Sequence, residues 1–450
     1  MSLQHPEAEE PGRPELPAPT PRQLLLLAVP ALAVGVATAL ILWLLDRVSE
    51  LLSDAIWTRL PDALGVDPSG WWILLVLTTT GVLVGLGLRF LPGHGGPDSA
   101  TTELMEPPLP LKTLPGLAVV LLLGLAGGVS LGPENPLIAI NVTLTVTVLA
   151  RLMPAVSSQL AMLMAAAGTI GALFGTPVGA ALLFTGTLAA IRGGGALWDK
   201  LFLPLAAAAA GSVTMHLLGT PPLSFAVPED TVEPIDFLLG IVVACLCTII
   251  GLGANLLFPW VHRAFHALRH PILIPAVGGV VLGVLGMIGG PITMFKGLTQ
   301  MGELISNADQ ETAGDLAVVA VVKIVALLVA ASAAFRGGRV FPATFIGVAL
   351  GLLAHALIPG FPIALAIGCG VIGILLVVTR DGWMALFLAA AVTGDLALLP
   401  WFCVIVLPAW LLVSRAPEFR IANPTSAPGY SGRRRLGPSS ASGAGAPPTE

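Results

Sequence analysis

The stretch GGVSLGPENPL, residues 127–137, holds one carboxylate, Glu134, between two prolines. The nearest charged residue before it is Lys112 and the nearest after it is Arg151; apart from the amides Asn135 and Asn141, everything else between is apolar, small or hydroxyl-bearing. Glycine lowers helix propensity and proline removes a backbone donor, so this backbone is not the middle of one continuous helix. It reads as a break between two apolar helices, with an acid at the break.

The surroundings fix what kind of break it is. Of 450 residues, 55% are hydrophobic and 10% are charged, where a soluble domain carries about one quarter charged residues. Such a chain is expected to be an all-α, polytopic integral membrane protein. The segment from Leu24 to Leu45 is long enough to span a bilayer, which takes about 20 residues. Residues 1–21, rich in Pro and Glu, have no apolar core of a cleavable signal and are expected to be a disordered arm. From 416 to 450 the chain turns Pro/Gly/Ser-rich and is expected to be a disordered tail. Arg415, Arg420 and the run Arg433-Arg434-Arg435 assign that tail to the cytoplasm, and Arg13 and Arg22 give a weaker vote for the same side at the N-terminus. The net charge of −5 says little, because most charges lie in tails and loops. Cys245, Cys247, Cys369 and Cys403 all sit in apolar runs and read as buried small hydrophobes.

Between the tails, from 22 to 415, apolar stretches alternate with glycine and proline. Many, such as 114–131, are shorter than a full span, while 159–190 reads as one long stretch. Short, Gly/Pro-broken segments in matching places of two halves point to inverted repeats, here about 22–219 and 235–415. Two segments do match: AGGVSLGPENPLIAI and AFRGGRVFPATFIGV share Gly-x-x-x-Pro, at Gly132–Pro136 and Gly338–Pro342, each before a new apolar helix. A third instance runs from Gly93 to Pro97. Free N–H groups and the positive end of the helix dipole favour an anion at such helix starts. Irregular backbone at membrane depth survives only where protein or a polar cavity satisfies it.

These residues resemble the CLC (voltage-gated chloride channel) family of anion channels and chloride/proton antiporters. The family's signatures Gly-Ser-Gly-x-Pro, Gly-Lys/Arg-Glu-Gly-Pro and Gly-x-Phe-x-Pro are matched by GHGGP (93–97), GPENP (132–136) and GRVFP (338–342), in the right order. AAGTIGALFGTPVGAALLF (166–184) and VVKIVALLVAASAAFRGG (321–338) are similar to two further family helices. The resemblance implies broken, re-entrant helices and a homodimer with one anion pathway per subunit in the cell membrane. It places Glu134 on the gating glutamate and His94, with Gly95, on the serine signature that coordinates the central anion. Gly132 and Asn135 flank the gate, and Gly338, Arg339, Val340 and Phe341 carry the third signature, whose N–H groups face the anion. Phe419, in APEF, replaces the tyrosine that helps close the inner side.

The departures are specific. Pro133 and Asn135 replace the usual basic residue and glycine around the acid. Thr187 stands where antiporters keep an internal proton-transfer glutamate, ten residues after Pro177. The function expected is therefore transmembrane passage of a small inorganic anion, chloride first, by a channel or transporter of this type, with a lean towards a passive channel or an unconventionally coupled transporter over standard chloride/proton exchange. Fluoride or another anion in exchange for protons on the same scaffold is the alternative.

Several residues carry plainer expectations. Arg339 is expected near the aqueous mouth, where its charge raises local anion concentration. Lys323 is expected to snorkel or pair, and Asp395 to cap or pair at a helix end. The threonines at 143, 145 and 147 are expected to bond back to carbonyls one turn earlier. Gly128-Val129-Ser130-Leu131-Gly132 matches a hydrolase nucleophile elbow, which makes an intramembrane serine hydrolase using Ser130 the remote alternative. No enzyme activity, no metal site, no cofactor and no nucleic-acid partner is expected; the partners are the bilayer, the anion and a second copy of the chain.

Overall fold

A computed structural model describes residues 19–189, 195–220, 223–228 and 231–421. The first part of the chain forms α1 (Pro21–Leu64), α2 (Trp71–Phe90), α3 (Leu114–Ala126), α4 (Glu134–Leu152), α5 (Ser158–Phe174), α6 (Pro177–Ala189) and α7 (Leu197–Leu217). The second forms α8 (Pro234–His266), α9 (Leu273–Gly289), α10 (Leu298–Ser306), α11 (Ala313–Ser332), α12 (Val340–Leu357), α13 (Ile363–Thr379), α14 (Gly382–Thr393) and α15 (Leu399–Val413). Among the described residues eight helices are long and apolar enough to cross a membrane. The others, including α3, α5, α9, α13 and α14, are apolar but shorter.

The order repeats. A long helix (α1, α8) precedes a second (α2, α9), an irregular loop, a helix ending in a glycine-rich break (α3, α11), and four more helices (α4–α7, α12–α15). The repeats pack equivalent parts on each other: α2 lies against α9, and the two breaks meet. Small residues allow the close crossings on which membrane helix packing depends. A Cβ at Gly370 of α13 would fall on the Gly347 carbonyl of α12, so only glycine permits that approach.

The stretch read as continuous over 159–190 is two helices. Gly175 ends α5 in the left-handed region (φ 68°), and its carbonyl accepts from Ser212 Oγ at 2.6 Å. Pro177 then opens α6. At the N-terminus Thr20 caps α1 and accepts from the Gln23 N–H, so the helix starts at Pro21. At the other end residues 416–421, assigned by the sequence to the tail, fold back: Phe419 is buried and the Ile421 N–H donates to the Ala100 carbonyl at 2.8 Å. Residues 1–18 and 422–450, to which the sequence assigns disorder and a cytoplasmic side, lie outside the described residues. Of the four cysteines, all free, Cys247 and Cys369 are buried and Cys245 is half-buried, but Cys403 is exposed on α15, on a face that the other described residues leave uncovered.

Candidate functional site

The two glycine-rich breaks run antiparallel beside each other. Gly132 N–H donates to the Gly338 carbonyl at 2.9 Å, and Gly338 N–H donates to the Gly132 carbonyl at 2.6 Å. This pairing satisfies backbone that no helix can satisfy, as membrane-depth irregularity requires. It also sets the starts of α4 and α12 side by side. Glu134 is the first residue of α4 and is 1% exposed. Its Oε1 accepts from the Phe341 N–H, in the first turn of α12, at 2.8 Å. Its Oε2 is buried without a hydrogen-bond partner. A Cβ at either Gly132 or Gly338 would strike this carboxylate, so the two glycines form its cradle. A carboxylate on free helix-start N–H groups occupies the place in which such groups hold an anion. Lys296 and Arg339 are the basic residues whose charges act on it.

A cavity of about 470 Å³ leads to this point; its wall includes Thr102, Asn135, Arg339, Val340, Asp381 and Phe419. Asn135 and Val340 adjoin the carboxylate from both helices, while Glu134 itself lies behind the wall. At the rim Arg420 pairs with Glu103 and Glu418. Arg339, deeper, has no ionic partner among the described residues; it is 9% exposed, not at an open mouth as the sequence suggests. The reason is its guanidinium, which donates to the Thr102 carbonyl at 2.9 Å and to the Phe419 carbonyl, drawing the side chain inward. Phe419 stacks on Phe258 of α8 with centroids 4.8 Å apart, which closes one side of the cavity. Asn135 donates to Thr102 Oγ1 at 3.2 Å and to the Glu103 carbonyl at 3.3 Å, where the family's glycine would donate nothing from its side chain.

Arg339 is thus the buried tie between the 99–103 loop and the C-terminal flap, alongside the Ile421–Ala100 bond and the Arg420–Glu103 pair at the rim. Charged hydrogen bonds contribute about 1.5–3 kcal/mol, so Arg339→Met should open the flap at least about tenfold more often. Faster limited proteolysis at residues 415–421 in detergent is the expected readout; an unchanged nicking rate means the flap is held by the Phe258–Phe419 stack instead.

Not every residue singled out in the sequence joins this group. His94 is exposed, and its Nδ1 meets the Leu88 carbonyl at 3.0 Å. Gly93, His94 and Gly95 are all left-handed (φ 73°, 51° and 65°), and this tight coil turns the imidazole outward. Gly95 is buried nearby, its carbonyl accepting from Arg336 Nε at 3.1 Å. A buried hydroxyl of this loop is Ser99, five residues on: its Oγ donates to the Phe335 carbonyl (2.7 Å) and accepts from the Gly337 N–H (2.8 Å). Thr187 lies on α6, its side chain outside the described ones. Ser130 is buried in a helix–loop–helix connection, not on the strand-to-helix turn a nucleophile elbow needs, and its Oγ has no hydrogen-bond partner among the described residues. Thr143 and Thr147 bond back to carbonyls four residues earlier, at 2.7 Å each, so they are structural. Asp395 caps the Ala397 N–H at 2.7 Å. Lys323 neither snorkels nor pairs with an acid; it is fully buried among three carbonyls.

A cluster without any signal beyond an i, i+4 histidine spacing is Asp98, His262 and His266. Burial works against the charge on Asp98, but His262, His266 and Arg336 together hold its carboxyl well below the usual carboxylate range. On the cavity wall burial pushes the Asp381 carboxyl upward, against the bond from the Met384 N–H.

Known proteins share both sequence and fold. The profile described as voltage gated chloride channel matches residues 80–414. "Putative ion-transport protein YfeO" of Escherichia coli (strain K12 / DH10B) is 46% identical over 414 residues, covering 91% of this chain and 98% of the relative. Its counterpart in Escherichia fergusonii matches equally, at 46% over 414 residues. Among solved structures, a CLC-type fluoride/proton antiporter superposes with a TM-score of 0.69 at 20% identity, covering 89% of this chain and 98% of its own. A slow cyanobacterial Cl−/H+ antiporter gives 0.73 at 17% identity, covering 89% and 97%. The paired breaks and inverted helix starts are thus not a chance of composition, and with the profile spanning three quarters of the sequence the chain belongs to the voltage-gated chloride channel (CLC) family.

Proposed function

We propose that this protein passes a small inorganic anion, chloride, across the cell membrane, and that Glu134 is the carboxylate that competes with the anion for its place. The observation that carries the reading is the Glu134 carboxylate on the Phe341 N–H, between two inverted helix starts and behind a cavity wall formed in part by its neighbours Asn135 and Val340. A chloride reaching that point meets the same N–H group and the same two glycines. Asn135, Arg339, Val340 and Phe419 line the cavity that approaches it; His94 and Gly95 are not among its lining residues. Family membership supports ion passage, as do the named relatives and the antiporters of the same fold.

Without an acid at Thr187 the passage runs as a channel and not as obligatory exchange. The working form is a homodimer in the plasma membrane with one pathway per subunit and both termini cytoplasmic, as the family resemblance and the tail arginines imply. The deciding measurement is efflux from proteoliposomes loaded with chloride, fluoride or nitrate, with and without an opposing proton gradient. Chloride efflux without uphill proton movement is expected. Proton uptake driven by the anion gradient would overturn the channel reading, a fluoride preference would overturn chloride, and no efflux of any anion from folded protein would overturn the transport reading itself.

A further inference from the structure

The last turns of α8 present Asn255, Phe258, His262 and His266 along one face. Asn255 Nδ2 donates to the Pro417 carbonyl at 2.6 Å, and Phe258 stacks on Phe419. One turn further on, the two imidazoles stack with centroids 3.9 Å apart and aim their Nε2 atoms at a single oxygen, Asp98 Oδ2, at 3.9 Å and 3.5 Å. All three donor atoms lie within 4.8 Å of one another.

The protonation chemistry of this arrangement is unusual. His266 Nδ1 stands 3.0 Å from the His262 carbonyl, which can only accept, so that nitrogen carries the hydrogen. The neutral ring therefore turns the lone pair of Nε2 towards a carboxylate oxygen, two acceptors facing each other. His262 Nε2 is buried, has no hydrogen-bond partner among the described residues, and at 3.9 Å is too far from Asp98 to make a hydrogen bond. The other carboxylate oxygen is already engaged: Oδ1 accepts from the Ala100 N–H at 3.1 Å and faces Arg336 at 3.8 Å. Arg336 is itself directed away, onto the Gly95 and Ala334 carbonyls. Three lone-pair donors thus converge on one volume, and two of them, His266 and Asp98, are oriented by a bond from the opposite side, which is how ligating side chains are held in metal sites.

We propose that Asp98, His262 and His266 form a binding site for a divalent transition cation of the Zn²⁺ class. Two imidazole nitrogens and one carboxylate oxygen are the donor set that Zn²⁺ and its neighbours take, with one position left for water or a small anion. Mg²⁺ and Ca²⁺, which require oxygen shells, do not fit two nitrogens. The half-exposed His266 gives the ion access from solvent. The site also has a mechanical consequence. Asp98 precedes Ser99, whose hydroxyl holds Gly337, and Gly337 adjoins the Gly132–Gly338 bridge that cradles Glu134. An ion on Asp98 ties α8 to that bridge and stiffens the cradle.

The test uses the full chain, purified in detergent and stripped with chelator, and its binding arm is independent of what the protein transports. Titration with Co²⁺ should give a visible absorption spectrum of nitrogen and oxygen ligation saturating at one ion per chain, displaced by Zn²⁺. The double variant His262→Gln/His266→Gln should lose at least about tenfold in affinity, as should Asp98→Asn, whereas His270→Gln should bind as the parent does. In the unmodified chain Zn²⁺ should raise the melting temperature and Mg²⁺ should not, a readout that needs no variant to fold. Absence of Co²⁺ binding by folded protein, a double variant that binds like the parent, or equal stabilisation by Zn²⁺ and Mg²⁺ would each overturn the site and leave an imidazolium–carboxylate contact in its place.

Discussion

Glu134→Gln in proteoliposomes is expected to carry anion at a rate that no longer changes with pH. The substitution keeps the volume and leaves an amide oxygen to accept from the Phe341 N–H, so the paired breaks and the glycine cradle stay intact. What disappears is the charge. In the native protein an anion must displace a carboxylate held at a helix start, an interaction of up to about 2 kcal/mol in partly buried geometry. Protonation of Glu134 removes that competitor, so flux through the native protein should rise as pH falls, by roughly tenfold to thirtyfold for that energy. Glu134→Gln should be fast and flat at every pH. Asp381 is the group on the cavity wall whose titration could imitate this, since burial already pushes its carboxyl upward. Asp381→Asn should nonetheless keep the native pH profile, because its bond to the Met384 N–H holds it on the start of α14 and away from the Phe341 N–H. If Glu134→Gln keeps the native profile and Asp381→Asn loses it, the gate is Asp381.

How far these features could be read in the sequence depended on the distance over which they are specified. The two Gly-x-x-x-Pro breaks were legible because each is a local signal, and their matching positions pointed to inverted repeats. The structure adds the bridge between Gly132 and Gly338 that joins them. Glu134 stood out because nothing ionisable lies near it in the chain. His94 misled because a motif fixes position along the chain but not the direction of a side chain. Three successive left-handed residues turn the imidazole out, and Ser99 supplies the buried hydroxyl instead. The split at Gly175 was hidden in an apolar run, since one left-handed glycine leaves hydropathy unchanged. Phe419 and Arg420 looked like tail because composition cannot report that Arg339, 80 residues away in sequence, reaches the Phe419 carbonyl. The Asp98–His262–His266 group has ligands from two distant elements, and only the histidine spacing within α8 could have raised it.

Lys323 is the residue for which the two kinds of reading diverge most in energy, and Lys323→Met is expected to cost the protein most of its stability. A lysine that snorkels loses little when replaced by methionine, because its stem packs the same way and its ammonium was in water. Here the ammonium is fully buried, donating to the carbonyls of Thr293, Met294 and Phe295 at 3.0, 2.9 and 2.9 Å, and lies 4.8 Å from the centre of the Phe345 ring. Those carbonyls belong to an irregular turn at which Phe295 is left-handed (φ 59°) and its N–H donates to the Gly128 carbonyl at 3.0 Å. Methionine fills the volume but offers no donor, so three oxygens converge with nothing between them. Stranding a buried acceptor costs about 1–3 kcal/mol, and three are stranded here, against a total stability of about 5–15 kcal/mol. Thermal unfolding in detergent, followed by tryptophan fluorescence and size-exclusion profile, should show a large fall in melting temperature or outright aggregation. A shift of only a degree or two would mean that water enters and satisfies the carbonyls. The turn also carries Lys296, paired with Asp46 at 3.1 Å and one of the two basic residues whose charges act on Glu134. Lys323 therefore holds in place both a break in the backbone and a charge that the gate feels, so any Lys323→Met protein that survives at low temperature should also conduct with a shifted pH dependence.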